Sequence, residues 1–242
     1  MPGLGTIINT LAIVAGGILG KLFGRFLTGS TQDALTKVCG VSTLFIAAAG
    51  ALEGMLSPEG DRLVSGGGLL VIGCLALGTL LGEILKIEDC LECFGEWLKR
   101  KTGNSSDTGF VNAFVTASLT VCIGAMAIVG SIQDGIAGDW SILATKSVLD
   151  LIIVMVMTGS MGRGCVFSAI PVAILQGTIT ALAGLLAPVM TDAALGNISM
   201  IGSVLIFCVG INLVWGKTIR VANMLPALVF AGVAVYLPVF HI

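Results

Sequence analysis

The sequence predicts an all-α polytopic membrane protein, a transmembrane helical bundle of about eight spans with one amphipathic helix at the membrane interface. Two observations favour this class. Hydrophobic residues make up 56% of the 242 residues and charged residues only 11%, whereas soluble globular chains carry about 25% charged residues. Glycine contributes 34 residues, and small residues let membrane helices pack closely. A chain with so little charge needs lipid to cover its surface.

Composition also excludes several classes of function. The net charge of −2 provides no footprint for nucleic acid. Cys90 and Cys93 form a single C-x-x-C without a second pair, and the sole histidine is His241, so no metal site or cofactor is predicted. No phosphate loop or nucleophile motif occurs. Acid–base catalysis would rest on isolated carboxylates, so an enzyme is not expected. These carboxylates are Asp150, Asp134, Glu53 and Glu83.

Charge-poor runs of adequate length define the eight spans. The chain starts without a basic region, so the first run is expected to stay as a helix. The second run is the weakest, because only residues 38–52 separate Lys37 from Glu53, and it reaches bilayer thickness if Lys37 snorkels. The predicted spans are Leu4–Phe23, about Val38–Met55, Leu63–Leu85, Phe110–Gly135, about Trp140–Met161, about Val166–Pro188, Ile198–Trp215 and Val221–Val239.

Two polar segments and a charged helix interrupt this series. Residues 56–62 are rich in turn formers and are predicted to form a loop. Residues 87–101, IEDCLECFGEWLKRK, carry an apolar stripe at helical spacing but are too short and too charged to span, so we predict a helix in the interface. Residues 102–108 are a polar linker between 1–101 and 109–242 of one membrane domain, 1–242.

Basic residues predict the orientation of the spans. Ten lie after odd-numbered spans, against Arg62 and Lys146 elsewhere. By the positive-inside rule both termini should lie outside the cytoplasm of a prokaryotic inner membrane. The ten are Lys21, Arg25, Lys37, Lys86, Lys99, Arg100, Lys101, Arg163, Lys217 and Arg220.

Polar side chains at bilayer depth are the candidate site. Asp150 lies near the middle of span five with Lys146 one turn earlier, so the two can pair. An intramembrane carboxylate favours a functional role, although a later start of span five would put both residues near the interface. Each of the other polar residues is more often a link between helices, but together they predict a polar path. They are Asn9, Asn112, Thr116, Ser118, Gln176 and Asn212.

Small residues and prolines predict how the helices pack. Gly16, Gly20 and Gly24 form a stripe for close helix contact, which also favours a homo-oligomer. Pro171 and Pro226 lie inside spans six and eight and predict paired kinks of the kind found in transporters, or are simply tolerated there.

A short echo suggests an inverted repeat. The triplet Gly-Thr-Ile occurs at 5–7 and at 177–179, five spans apart and therefore in opposite orientation. An inverted repeat of spans one to three and six to eight would explain it, and a chance match of three residues is the alternative.

Five segments carry a resemblance to a known protein family. They are GTIINTLAIVAGGILGKLFG (5–24), GFVNAFVTASLTVCIGAMAIVGSIQDGIAGD (109–139), KSVLD (146–150), FSAIPVAILQGTIT (167–180) and VGINLVWGKTIRVANMLPAL (209–228). On these segments the chain resembles the DUF554 family of bacterial integral membrane proteins. The resemblance covers nearly the whole chain, and the run CIGAMAIVGSIQDG is specific. It implies an integral membrane protein of unknown function, in a family whose members are sometimes labelled transport proteins, and it supplies no substrate or site.

Two functions are therefore weighed. The first is a transporter or channel for a small solute or ion, with Asp150 as charge carrier or counter-ion. The second is a non-transporting assembly or regulatory subunit, whose helix 87–101 docks a cytosolic partner. Whether the buried polar groups meet at a water-accessible cavity or pair off between helices distinguishes the two.

Overall fold

The computed structural model describes residues 2–59 and 62–236, which form an almost entirely helical bundle and confirm the predicted all-α polytopic class. The α-helices are α1 Leu4–Gly24, α2 Gly29–Met55, α3 Gly68–Leu85, α4 Ile87–Lys101, α5 Phe110–Cys122, α6 Ala125–Ala137, α7 Ser141–Met161, α8 Ala169–Ala181, α9 Ala183–Leu186, α10 Asp192–Trp215 and α11 Pro226–Ala234, with 3-10 helices at Arg163–Ser168 and Val221–Met224. A β-hairpin of Leu56–Glu59 (β1) and Arg62–Ser65 (β2) links α2 to α3.

The number of spans differs from the predicted eight. Within the described residues six helical segments are long and apolar enough to cross a bilayer, and α5 with α6 makes a seventh if that bent pair is one span. The last predicted span is a shorter apolar segment, Val221–Ala234, whose predicted end at 237–239 lies outside the described residues.

The second helix is longer than predicted. It begins at Gly29, where the Thr28 hydroxyl accepts a hydrogen bond from the backbone N–H of Thr31 at 3.3 Å and caps the helix. Lys37 lies inside this helix rather than before its start, and its Nζ pairs with Asp33 Oδ2 one turn earlier at 2.8 Å. Within the predicted loop 56–62, Leu56–Glu59 form strand β1 and Arg62 is the first residue of strand β2.

Glycines bring α1 against α7 in a parallel pair. A Cβ on Gly16 or Gly20 would overlap the carbonyl oxygen of Leu151 or Met155, so no larger residue fits at this distance. Gly24 continues the contact at Gly159. The predicted glycine stripe is therefore covered within the chain rather than left free for a second copy.

Three antiparallel pairs join the beginning of the chain to its end. Helix α1 packs on α8, α2 on α10, and α3 on α11. The three partners, α8, α10 and α11, follow the same order along the chain as α1, α2 and α3 and run in the opposite direction, which is compatible with an inverted repeat. The contacts that set the directions are Thr6 with Thr180 and Gly17 with Val166, Gly40 with Leu213 and Gly50 with Ser203, and Gly78 with Ala227 and Gly82 with Asn223.

The predicted kinks are replaced by irregular helix starts. Pro171 is the third residue of α8, directly after the 3-10 helix Arg163–Ser168. Pro226 is the first residue of α11, after the 3-10 helix Val221–Met224. Both prolines lie in a first turn, where the missing N–H removes no helical hydrogen bond. Neither proline kinks the middle of an α-helix.

The predicted single span 110–135 is broken. Helices α5 and α6 meet at Ile123 and Gly124 and are bent by 62°. Gly124 has φ of 145°, a conformation that side-chain-bearing residues rarely adopt. The break places the end of α5 inside the bundle, beside α7.

Candidate functional site

A buried ion pair lies in the first half of α7. Lys146 Nζ is 2.8 Å from Asp150 Oδ1 and 2.6 Å from Oδ2, and the two residues are only 6% and 3% exposed. Asn9 Nδ2 of α1 donates to Asp150 Oδ2 at 3.0 Å. Three predicted site residues therefore meet, and both oxygens of the carboxylate are hydrogen-bonded.

The same lysine contacts the helix break. Lys146 Nζ also donates to the carbonyl oxygen of Val121 at 2.8 Å. That carbonyl lies in the last turn of α5, where the backbone oxygens have no partner further along the helix. A cation at a helix C-terminus is also favoured by the helix dipole. The ion pair and the break thus form one site.

Two further polar residues lie at the same depth. The Thr6 and Thr180 hydroxyls are 3.5 Å apart, on helices α1 and α8 that run antiparallel. Asn9 and Gln176 therefore each lie about one helical turn from these hydroxyls, on the side of the Lys146–Asp150 pair. A Cβ on Gly135 of α6 would contact the carbonyl oxygen of Thr180. Ser131 lies about one turn before Gly135, towards the break. We call Asn9, Ser131, Lys146, Asp150 and Gln176 the polar layer.

Several atoms of the polar layer have no partner in the described part of the chain. Gln176 is 1% exposed, yet neither Oε1 nor Nε2 makes a hydrogen bond within the described residues. The same holds there for Asn9 Oδ1 and Ser131 Oγ. An unpaired buried polar group costs about 1–3 kcal/mol, and such groups in native proteins need an explanation. The hydrogen-bonding capacity of these atoms is therefore unused within the described residues.

Asp134 lies about one turn beyond Ser131 on α6, away from the helix break. From the sequence alone it is an isolated carboxylate with no predicted place in the site. It is 0% exposed, and its Oδ2 accepts a hydrogen bond from the backbone N–H of Gly5 at 3.0 Å. Its Oδ1 has no partner among the described residues. The signal that could have selected it is its place as the sole acid in the 110–135 run.

The remaining predicted path residues lie elsewhere. Asn112, Thr116 and Asn212 line a cavity of about 20 Å³, together with Glu88 and Lys217, which is room for about one water molecule. The predicted path therefore divides between this cavity and the polar layer. The prediction of one continuous polar lining is corrected accordingly.

Two of the predicted lining groups make local hydrogen bonds. The Ser118 hydroxyl donates to the carbonyl oxygen of Phe114, one turn earlier, at 2.7 Å. Asn212 Oδ1 accepts from the N–H groups of Thr218 and Ile219, each at 2.9 Å. Asn212 therefore orders the turn after α10, and Ser118 satisfies its hydroxyl within its own helix.

An ionic cluster closes the end of this cavity. Lys217 Nζ lies 2.6 Å from Oε1 of the buried Glu88 and also pairs with Glu92. Arg220 pairs with Glu83 at 3.1 Å and with Asp89. Sequence reasoning missed these pairs because they are separated by more than 120 residues. We call Glu83, Glu88, Asp89, Glu92, Lys217 and Arg220 the ionic cluster.

The environment of Lys217 changes its pKa. Burial by itself would lower the pKa of Lys217, but hydrogen bonds to Glu88 and Glu92 and their negative charges outweigh burial and raise it. Asn223 adds to the cluster, since its Oδ1 accepts from the Glu88 N–H at 2.7 Å and its Nδ2 donates to Glu83 Oε1 at 2.7 Å. The cluster therefore holds α4 and the end of α3 against the segment after α10.

Comparison with known proteins identifies the family. The family model described as "Protein of unknown function (DUF554)" matches residues 4–236. The chain belongs to the DUF554 family. Among its DUF554 relatives, the "Uncharacterized membrane protein YdfK" of Bacillus subtilis (strain 168) is 28% identical over 232 residues, 96% of this chain and 95% of the relative. The "Uncharacterized protein YqgA" of Escherichia coli (strain K12) is 28% identical over 241 residues, 94% of each chain. No solved structure matches.

These DUF554 comparisons support the membrane nature of the chain. One relative is named as a membrane protein, and the apolar helices of the described residues have the length to span a bilayer. The printed names contain no substrate and no reaction. Any narrower function has to be argued from the polar layer.

Proposed function

We propose that this DUF554 protein moves a small polar solute or ion across a prokaryotic cytoplasmic membrane, with the polar layer as its binding site and without enzymatic chemistry. The carrying observation is the buried Lys146–Asp150 pair at a broken helix, and the buried, unpartnered amide of Gln176 on α8 supports it. Secondary transporters typically bind their substrates near the bilayer midplane, where discontinuous helices expose polar backbone.

The ion pair suggests how such a site would work. In the structure, Lys146 and Asn9 satisfy both oxygens of Asp150. A substrate that hydrogen-bonds Gln176 and competes for Asp150 would release Lys146 and change the contact of α7 with the end of α5. Asp150 is then the counter-ion or charge carrier, and Lys146 is its partner in one of two states.

The distribution of charge supports one orientation. The basic residues after α1, α3, α7 and α10 favour a cytoplasmic location for that end of the bundle. Both termini would then lie outside the cytoplasm. The ionic cluster and the small cavity would face the cytoplasm, and the polar layer would lie nearer the outside.

Water access to the polar layer tests the proposal without knowledge of the substrate. In a full-length variant whose native cysteines are replaced, Gln176→Cys should react with a charged, membrane-impermeant thiol reagent from one side of a lipid vesicle. Ile174→Cys is the matched control, because it lies close by on α8 but is exposed on the outer surface of the bundle. It should stay unlabelled in lipid.

A complete lack of labelling at Gln176→Cys in folded protein would contradict the transport proposal. Such a sealed layer would favour the second function, a membrane assembly or regulatory subunit. The observation behind that alternative is the complete pairing of Asp150. In that case Trp97, exposed on α4 while Leu98 and Phe94 of the same helix pack inward, would mark the face that docks a cytosolic partner.

The proposal also includes self-association of the chain. Its original basis, the stripe of Gly16, Gly20 and Gly24, is covered by α7. Self-association would therefore have to use another helix face.

A further inference from the structure

We infer that Asp134 binds a small monovalent cation of the sodium type at the outer end of the polar layer. The use of this cation as a coupling ion rests on the transport function proposed above. The binding of the cation to Asp134 does not depend on that function. The inference starts from the balance of charge. Lys146 is neutralised by Asp150, and within the described residues no lysine or arginine lies at ion-pair distance from Asp134.

A buried carboxylate without a cation is unfavourable. Transfer of an ionised carboxylate from water into an apolar interior is expensive unless a charge partner or hydrogen bonds compensate. Asp134 has one such compensation, the Gly5 N–H on Oδ2, at the positive end of α1. Its other oxygen is buried and without a partner in the described chain. One positive charge at Oδ1 would complete the site.

The atoms around Asp134 are suited to a hard cation. Ser131 lies on the same face of α6 about one turn away, and its buried Oγ has no partner in the described residues. The Thr6 hydroxyl follows directly after Gly5, and it faces the Thr180 hydroxyl. Carboxylate and hydroxyl oxygens are the ligands that hard cations prefer. A single uncompensated carboxylate matches one positive charge, which favours a monovalent over a divalent ion.

The packing explains why the ligands are held ready. A Cβ on Gly5 would lie 3.1 Å from Asp134 Oδ2 and 2.7 Å from Leu143, so glycine lets α1 approach the carboxylate. Gly135 does the same for α6 against α8. The Gly5 N–H contact joins α1 to Asp134 of α6, the Thr6–Thr180 contact joins α1 to α8, and Gly135 of α6 lies against the Thr180 backbone. A cation there would neutralise Asp134 and leave the Lys146–Asp150 pair to respond to a second ligand.

Thermal unfolding of the purified, full-length protein in lipid nanodiscs tests the inference. A ligand that binds the folded state raises the unfolding midpoint with its concentration. We expect the midpoint to rise saturably with NaCl when choline chloride keeps the ionic strength constant. Asp134→Asn should abolish this rise, and Ser131→Ala should shift the Na⁺ concentration for half of the effect upward several-fold. If Asp134→Asn does not fold, Ser131→Ala carries the test.

Asp33→Asn is the matched control, because Asp33 is exposed and far from the layer; it should keep the wild-type Na⁺ response. Equal midpoints in NaCl and choline chloride would overturn the inference, as would a Na⁺ response retained in Asp134→Asn. If the unfolding midpoint depends on pH but not on Na⁺, and Asp134→Asn removes that pH dependence, Asp134 binds a proton instead of a cation. That result would also overturn the inference. Labelling of Gln176→Cys without a Na⁺ response would retain transport and reject the cation site.

Discussion

Buried polar side chains in this chain fall into two groups that differ in the completeness of their hydrogen bonds. Asp150 accepts from Lys146 and Asn9 on a fully buried carboxylate. Gln176, equally buried, has an amide without a partner in the described residues. Because desolvation is costly for either group, the hydrogen bonds of Asp150 offset that cost, whereas no described group offsets it for Gln176.

Removal of one member of the ion pair should be strongly destabilising. Lys146→Met leaves Asp150 buried with only Asn9, and we expect the free energy of unfolding to fall by about 3–5 kcal/mol. The double variant Lys146→Met/Asp150→Asn removes the uncompensated charge and should recover much of that loss. Unfolding midpoints of the purified proteins in lipid check both. A double variant no more stable than Lys146→Met would contradict the paired geometry.

At the residue scale, local spacing decided what could be predicted. Lys146 and Asp150 are four residues apart on one helix, so their pairing follows from helix geometry. Asn9 and Asp150, or Gly5 and Asp134, belong to different helices and are more than 120 residues apart. No periodicity in the sequence indicates which helices touch, so these partners came only from the packing.

At the scale of single elements, glycine has two different roles. Glycine is required at positions 16 and 20 because the helices are so close that the backbone of α7 occupies the place of a Cβ. Gly124 is required by conformation, since its φ is 145°, and within the described residues no atom lies within 4 Å of a Cβ there. The first role builds the α1–α7 pair, and the second breaks α5 from α6.

The distance requirement can be tested by paired substitutions. Gly20→Ala forces a methyl group onto the Met155 carbonyl oxygen and should lower the free energy of unfolding by about 1–3 kcal/mol. Gly196→Ala in α10 is the control, because no described atom lies within 4 Å of its Cβ; it should be neutral or stabilise by up to about 1 kcal/mol. Equal effects in an unfolding assay would argue against close α1–α7 contact.

Element boundaries were predicted where the composition changes sharply. The charged helix α4 has the predicted bounds, 87–101, because its amphipathic pattern ends at polar residues on both sides. The break at Gly124 was missed because it lies inside a continuous apolar run, where glycine also occurs in intact membrane helices. The start of α2 at Gly29 was missed because the charge of Lys37 indicates a residue outside the apolar span, and its pairing with Asp33 within the helix is seen only in the structure.

At the scale of the whole molecule, the two ends of the chain are joined twice. The antiparallel pairs α1–α8, α2–α10 and α3–α11 join them through apolar packing. The ionic cluster joins α3 and α4 to the segment after α10, with Lys217 on the buried Glu88. The cluster is thus the main charged contact between the halves at that end of the bundle.

The cluster predicts a loss of stability at alkaline pH. The pKa of Lys217 is raised in the folded state, so its contribution to stability is fully present below the pKa of the unfolded chain, about 10.4. It is lost as the pH rises through the folded pKa. The unfolding midpoint of the wild type should therefore fall above about pH 10.4, and Lys217→Gln should fall less over the same range. Parallel curves for the two proteins would exclude Lys217 as the cause.

By itself, the sequence determined the class of the protein: a charge-poor, glycine-rich chain forms membrane helices because each helix satisfies its own backbone and lipid covers its apolar surface. It also determined the Lys146–Asp150 pair, because helical spacing is a local property. Only the tertiary structure decided that Asn9 binds this pair, that Ser131 and Gln176 are buried without a partner in the described residues, and that Asn112, Thr116 and Asn212 lie at a separate cavity. These features depend on which helix faces pack together, and the packing is set by contacts between residues far apart in the chain.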